Sequence, residues 1–227
     1  MNSAGPVGFD LDLTLIDSRA AIMAAWSAVA ADTGTRIDLS DVDRRMGDKL
    51  EDEVARWFPP PEREQAAARY RQHYVRLAPA LTTALPGAHA ALAAVRAAGR
   101  RAVIITAKHA VSVAPSLLAA ALEADEVVSH VHGPEKAEVL SRIGAAAYVG
   151  DTPADMRAAT RAGAVAVGAA TGSFGPAELR AAGAGIVLAS LAEFPGWYAS
   201  FRAGADAGRS AAGTAGGLDD GRRDLRG

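Results

Sequence analysis

The chain has 227 residues, 24 basic and 26 acidic side chains, a net charge of -2, and an apolar half set against 22% charged residues. That balance suits one good core, or a core plus a smaller insertion, and offers no basic field for nucleic acid and no polybasic face for a membrane. With no cysteine, no apolar run of spanning length and no leader-like start, disulfides and thiolate chemistry are excluded and a cytoplasmic enzyme or binding protein is expected.

In chain order, Val7-Gly8-Phe9 reads as a short buried strand that runs into Asp10, Asp12 and Thr14. Strands of α/β folds present their chemistry at their C-terminal ends. In an extended chain, Asp10 and Asp12 leave the same face. Two carboxylates that close repel unless a cation or a shared proton intervenes, which points to a hard metal ion, a nucleophile with an acid/base partner, or both. Ordinary strand-end aspartates are the competing reading.

After Ser18, placed as a helix cap, Ile22, Trp26 and Val29 recur at helical spacing up to a stop at Gly34. A second helix is expected after Asp38 to Ser40, interrupted by Gly47, and a third carries Leu50, Val54 and Trp57-Phe58. The prolines at 59–61 break the chain, and from Glu62 a further helix aligns Ala66, Tyr70, Tyr74 and Leu77. No strand is expected between Ser18 and Leu85. This region reads as an all-helical insertion of roughly 65 residues.

From Pro86-Gly87 the rhythm alternates. Strands are expected over 101–106, 126–131, 147–150, 164–168 and 185–188. Helices are expected over 89–98, 111–122 with Pro115 in the first turn, 134–142, 153–162 and 176–182. Such alternation argues for a doubly wound parallel sheet with helices on both faces, a Rossmann-like α/β core. Beyond Arg202 large apolar residues almost vanish, and a tail unable to order itself is expected. The expected division is therefore 1–17 with 84–202 as core, 18–83 as helical cap and 203–227 as tail.

Three further positions join Asp10 and Asp12. Thr106 ends a strand, where a hydroxyl and the next backbone N–H groups can hold a phosphate oxygen or simply cap a helix. Lys136 lies just inside a helix N-terminus, against the macrodipole, and calls for an adjacent phosphate or carboxylate unless it is solvated. Lys108 is its rival, and with Lys49 these are the only lysines. In Gly150-Asp151-Thr152-Pro153-Ala154-Asp155, a strand ends in Gly-Asp and a helix starts at the proline, so Asp151 and Asp155 face back toward the strand end. That pair favours a metal site over a charge pair at a helix start.

The order D-x-D-x-T, strand-end Thr, Lys and G-D-x-x-x-D resembles the haloacid dehalogenase-like superfamily. FDLDLTLIDS and GDTPADM are similar to its phosphoglycolate phosphatase-like branch, whose helical cap follows the first motif. The resemblance spans about residues 7–202. It implies that Asp10 is the nucleophile and Asp12 the acid and base. It implies that Thr106, Ala107 and Lys136 face the phosphoryl oxygens. It also implies Mg²⁺ held by Asp10, Asp151, Asp155 and Asp12, the last through its backbone carbonyl. Dehalogenases of the superfamily lack an aspartate where Asp12 stands, so phosphate chemistry is favoured.

The sequence departs from the family in three places. Leu13 stands where glycine is usual, a change expected to be tolerated with a negative φ. Ala107 replaces a frequent asparagine, and Lys136 follows Gly133-Pro134-Glu135 in place of the commoner K-P-x-P context. In the cap, Arg45, Lys49 and the Met46-Gly47 turn are candidates to reach inward. A solvated face of Arg44, Arg45 and Lys49 balanced by Asp43, Asp48 and Glu51 explains the same residues. His73, His89, His109, His130 and His132 show no metal spacing, and a structural role is expected for them, with His130 and His132 able to rim a pocket. The implied function is a Mg²⁺-dependent phosphatase acting on a small phosphorylated metabolite, phosphoglycolate-like or a sugar phosphate, as a monomer or homodimer. The alternatives are a phosphomutase of the same superfamily and a catalytically silent phosphate-binding protein.

Overall fold

The structure, a computed structural model, describes residues 5–214. Six parallel strands form the sheet: β1 (Val7–Phe9), β4 (Ala102–Ile105), β5 (Glu126–Val128), β6 (Ala147–Gly150), β7 (Val165–Ala169) and β8 (Ile186–Leu188), in the order β5-β4-β1-β6-β7-β8. An antiparallel pair, β2 (Ile16–Asp17) and β3 (Thr83–Ala84), stands apart.

Side-chain alternation explains why both faces are covered. Phe9, Ala102, Ile104, Ala147 and Val149 enter one core, closed by α5 (Ala88–Ala97), α6 (Ala110–Ala119) and α10 (Phe194–Thr214). Val103, Ile105, Tyr148 and Ala166 enter the other, closed by α7 (Gly133–Ile143), α8 (Pro153–Arg161) and α9 (Pro176–Ala181). The chain winds outward from β1 in both directions. A crevice therefore opens at the C-terminal ends of β1 and its neighbours, where such sheets bind ligands.

Between β2 and β3 lies the insertion: α1 (Arg19–Thr33), α2 (Leu39–Arg44), α3 (Leu50–Trp57) and α4 (Arg63–Leu81). It has its own core of Trp26, Val29, Val42, Val54, Phe58 and Ala66. A second seam, Ala21 and Ala25 against Tyr74 and Ala78, holds α1 to α4. The Tyr74 hydroxyl meets Ser116 Oγ at 3.0 Å, tying α4 to α6 of the sheet domain.

The structure corrects several expectations. A strand does occur before Leu85, at Thr83–Ala84, because both chain crossings between insertion and sheet pair with each other. Pro115 is the sixth residue of α6, past the first turn, where it forfeits one intrahelical bond. The strand expected over 126–131 stops at Val128, and His130 turns the chain with φ 60°. α10 runs from Phe194 to Thr214, across the expected start of the tail, and Phe194, Trp197, Tyr198 and Phe201 pack its first turns on the sheet. The remainder of the expected tail, 215–227, lies outside the described residues. No helix among the described residues is long and apolar enough to cross a membrane.

Candidate active site

Each strand that touches β1 delivers one piece of the site. Phe9 pairs with Val149 of β6 and Ile104 of β4, so the residues just past these strands converge. The Asp10 N–H donates to the Val149 carbonyl at 2.8 Å, fixing the first carboxylate against the β6 end. Asp10, Asp151 and Asp155 are all buried, and each offers an oxygen within 4.8 Å of the others.

Lys136 reaches into this cluster from the first turn of α7. Its Nζ donates to Asp10 Oδ1 at 2.8 Å and to Asp155 Oδ1 at 2.7 Å. Two carboxylates thus answer the lysine placed against the helix dipole. Asp155 is further saturated on its other oxygen, which accepts from Thr152 Oγ1 at 2.6 Å and from the Thr152 N–H at 3.2 Å. Asp151 Oδ1 accepts from Thr14 Oγ1 at 3.0 Å.

Three buried carboxylates gather around one ammonium here, and burial acts on Asp10 and Asp151. Burial pushes Asp10 up to about 7, with Lys136 opposing the rise and Asp155 adding to it. Burial also raises Asp151 well above its usual range, reinforced by Asp10 and Asp155. For Lys136, burial favours the neutral form, yet Asp10 and Asp155 outweigh it and hold the ammonium. A hard divalent cation taking oxygen ligands fits this donor set, because it neutralises the excess buried charge. Asp10 and Asp151 each retain a carboxylate oxygen without a hydrogen-bond partner named above, whereas both oxygens of Asp155 are engaged. The first two are the better direct ligands, with Asp155 behind them.

The structure separates Asp12 from the other acids. Past Phe9 the chain is no longer extended: the Leu13 N–H bonds to the Ile16 carbonyl and the Leu15 N–H to the Leu11 carbonyl. The Asp12 carboxylate is not in the cluster and instead receives Lys108 Nζ at 2.8 Å and Ser18 Oγ at 2.5 Å. Ser18 therefore spends its hydroxyl on Asp12 and makes no side-chain cap for α1. Burial works against the Lys108 charge, but Asp12, Tyr74 and Tyr70 raise it overall, and its Nζ lies 4.1 Å from the centre of the Tyr74 ring. Leu13 has φ 58°, outside the negative range on which its tolerance was expected to depend, and its carbonyl accepts from Thr171 Oγ1 at 2.5 Å.

Asp10, Asp12, Thr106, Ala107, Lys136 and Asp155 line one cleft. Thr106 is buried, and its Oγ1 accepts from the Lys108 N–H at 3.2 Å. Gly47 of the cap lines the same cleft. His132 does too, and both its ring nitrogens are buried with no partner among the described residues. Burial, then Lys49 and His130, lower its pKa and keep the ring neutral. Arg45 does not reach the cleft free: Glu53 takes its Nη2 at 2.9 Å and Nε at 3.0 Å, and Asp41 takes its Nη1 at 2.7 Å. The expected charge balance of the cap is thus re-paired, with Glu51 on Arg71 at 2.7 Å and Asp43 on Arg19 at 2.5 Å. His73 pairs with Asp32 at 2.6 Å, and His89 with the Ala121 carbonyl at 3.2 Å, both remote from the cleft.

A family model, described as haloacid dehalogenase-like hydrolase, matches residues 7–169, well over half of the chain. The chain is a haloacid dehalogenase-like hydrolase. No curated protein sequence matches it significantly. Solved structures share the fold of this hydrolase. A hydrolase from Pseudomonas syringae aligns at a TM-score of 0.71 with 24% identity, over 83% of this chain and 94% of its own. A haloacid dehalogenase-like family hydrolase from Streptococcus pneumoniae aligns at 0.74 with 20% identity, over 87% and 100%. A predicted phosphoglycolate phosphatase from Haemophilus somnus aligns at 0.73 with 19% identity, over 85% and 97%.

The sequence pointed to Asp10, Thr106, Lys136, Asp151 and Asp155, and the fold brings all five together. It gave no role to Tyr148, whose hydroxyl donates to the Ile105 carbonyl at 2.9 Å and approaches Asp155 Oδ1 at 3.3 Å. Nor did it single out Gly172, which crowds Asp151 from a loop far along the chain.

Proposed function

We propose that this hydrolase is a Mg²⁺-dependent phosphatase that cleaves a small phosphomonoester through an aspartyl-phosphate on Asp10. The observation that carries the reading is the division of labour between the two carboxylates of the first motif. Asp10 is buried against Lys136 and the acidic cluster, while Asp12 stands apart on Lys108 and Ser18 at the cap side. Carboxylates placed two residues apart in such different surroundings suit a nucleophile and a separate acid/base.

Asp10 attacks phosphorus and the ester P–O bond breaks. Asp12 delivers a proton to the departing alkoxide, then takes one from the water that hydrolyses the acyl phosphate, releasing inorganic phosphate and free Asp10. Thr106, the backbone at Ala107 and Lys136 face the transferring oxygens, where positioning and charge neutralisation dominate catalysis. Asp10 and Asp151, with Asp155 behind them, would hold Mg²⁺, which when bound would supply positive charge against those oxygens. Gly47 brings the cap backbone over the cleft, which excludes water.

The test is phosphate release from p-nitrophenyl phosphate with Mg²⁺. Asp10→Asn is expected to abolish it. Asp12→Asn is expected to bind phosphate and turn over very slowly, and near-normal turnover in that variant would remove the acid/base assignment. A sugar phosphate returned isomerised instead of hydrolysed would move the reading to a mutase.

A further inference from the structure

A cavity of about 110 Å³ lies between the helical insertion and the C-terminal ends of the strands. It shares Asp12, Gly47 and Ala107 with the cleft that holds Asp10 and Lys136, so the two spaces adjoin. This cavity is the space on offer to the alcohol portion of an ester whose phosphoryl group sits beside Asp10.

The walls are largely apolar: Ile22, Trp26, Val42, Met46, Leu50 and Tyr70. Their charged neighbours do not suit an anion. Apart from Asp12 and Asp151, which the catalytic reading already uses, Asp48, Glu51 and Glu53 line the cavity against Arg45, Arg71 and Lys108. Each of those cations already has a carboxylate partner: Arg45 on Glu53 and Asp41, Arg71 on Glu51, and Lys108 on Asp12. A carboxylate on the substrate would have to displace one of these partners and would face the remaining acids. A polyhydroxylated alcohol would find partners among the polar residues but would also set hydroxyls against Ile22, Trp26, Val42, Met46 and Leu50, where none is available.

We propose that the ester taken by this enzyme carries an uncharged, mainly apolar alcohol, aromatic or branched, in this cavity. The proposal rests on the phosphatase reading and adds the chemistry of the leaving group to it. Trp26 and Tyr70, packed on each other with ring centres 4.8 Å apart and planes tilted by 38°, form one aromatic stretch of the cavity wall.

The experiment compares kcat/KM for benzyl phosphate, phosphoglycolate, glucose 6-phosphate and acetyl phosphate with Mg²⁺. Benzyl phosphate is expected to exceed phosphoglycolate and glucose 6-phosphate by at least about ten-fold, mainly through KM. Leu50→Gln is expected to shrink the ratio of benzyl phosphate to acetyl phosphate turnover. Wild-type inhibition needs no variant: benzylphosphonate should compete more tightly than phosphonoacetate. If acetyl phosphate is hydrolysed but phosphoglycolate or glucose 6-phosphate matches or beats benzyl phosphate, the proposal is overturned and the phosphatase reading stands. If no ester is hydrolysed, acetyl phosphate included, the phosphatase reading fails and takes this proposal with it.

Discussion

A methyl group on the α-carbon of Gly172 would fall 1.9 Å from Asp151 Oδ2. Only a hydrogen fits there, so the loop after β7 presses the second carboxylate into place. Gly172→Ala is expected to turn Asp151 away and raise the Mg²⁺ concentration for half-maximal hydrolysis by about ten-fold, the low end for losing a support of a metal ligand. Unchanged Mg²⁺ dependence would mean that Asp151 is oriented by Thr14 alone. Gly150 plays the same part for Asp155, whose Cβ would lie 2.4 Å from an added methyl. Leu13 shows the opposite compromise. Its left-handed backbone costs about 1–2 kcal/mol for an L-residue, but its buried side chain returns about 1.5–3 kcal/mol. The two magnitudes overlap, so burial offsets the strain and leucine is tolerated at this turn. The acids, Lys136 and Thr106 were legible because strand-end and helix-start signals place them locally. Gly172 and the Lys108–Asp12 pair were not, since each depends on which distant segment the fold brings alongside.

At the level of elements, α2 illustrates a cap that titrates. The Asp38 carboxylate accepts from Ser40 Oγ at 2.7 Å and the Ser40 N–H at 2.9 Å, and also from the Asp41 N–H. Those bonds hold its pKa below the usual 3.8, the Ser40 hydroxyl first among them. A carboxylate lowered on folding stabilises the helix start fully above pH 3.8 and loses that contribution as the pH falls through its folded value. Amide exchange at Ser40 and Asp41 should therefore quicken in acid below that point while the sheet amides remain protected; equal protection across that range would contradict the cap. The helices were the legible elements, because Gly34, Gly144 and the prolines at 134 and 153 mark their ends. Strand limits were less so. β5 ends early because His130 adopts a positive φ, which its alternating neighbours do not announce.

Across the whole molecule, one sheet face is closed by aromatic rings from the far end of the described chain. Phe194 is fully buried and sits 5.3 Å from Phe9, ring centre to ring centre. Phe194→Ala is expected to cost about 3–5 kcal/mol, as for other buried aromatic truncations, and to lower the denaturant midpoint accordingly. A loss under about 1 kcal/mol would show α10 to be an accessory and not part of the core. The doubly wound order was legible from the alternation of elements. The packing of Phe194, Trp197, Tyr198 and Phe201 on the sheet was not, because these contacts form only once the sheet exists.

The two-residue ladder of β2 and β3 brings the departing and returning strands of the insertion side by side, Ile16 opposite Ala84 and Asp17 opposite Thr83. Neighbouring strands lie about 4.8 Å apart, so the insertion enters and leaves through a single doorway. Lineages could enlarge, shrink or swap the helical module at that doorway without disturbing the carboxylates beneath. A graft from a relative joined at the same two rungs would inherit this catalytic floor under a new ceiling.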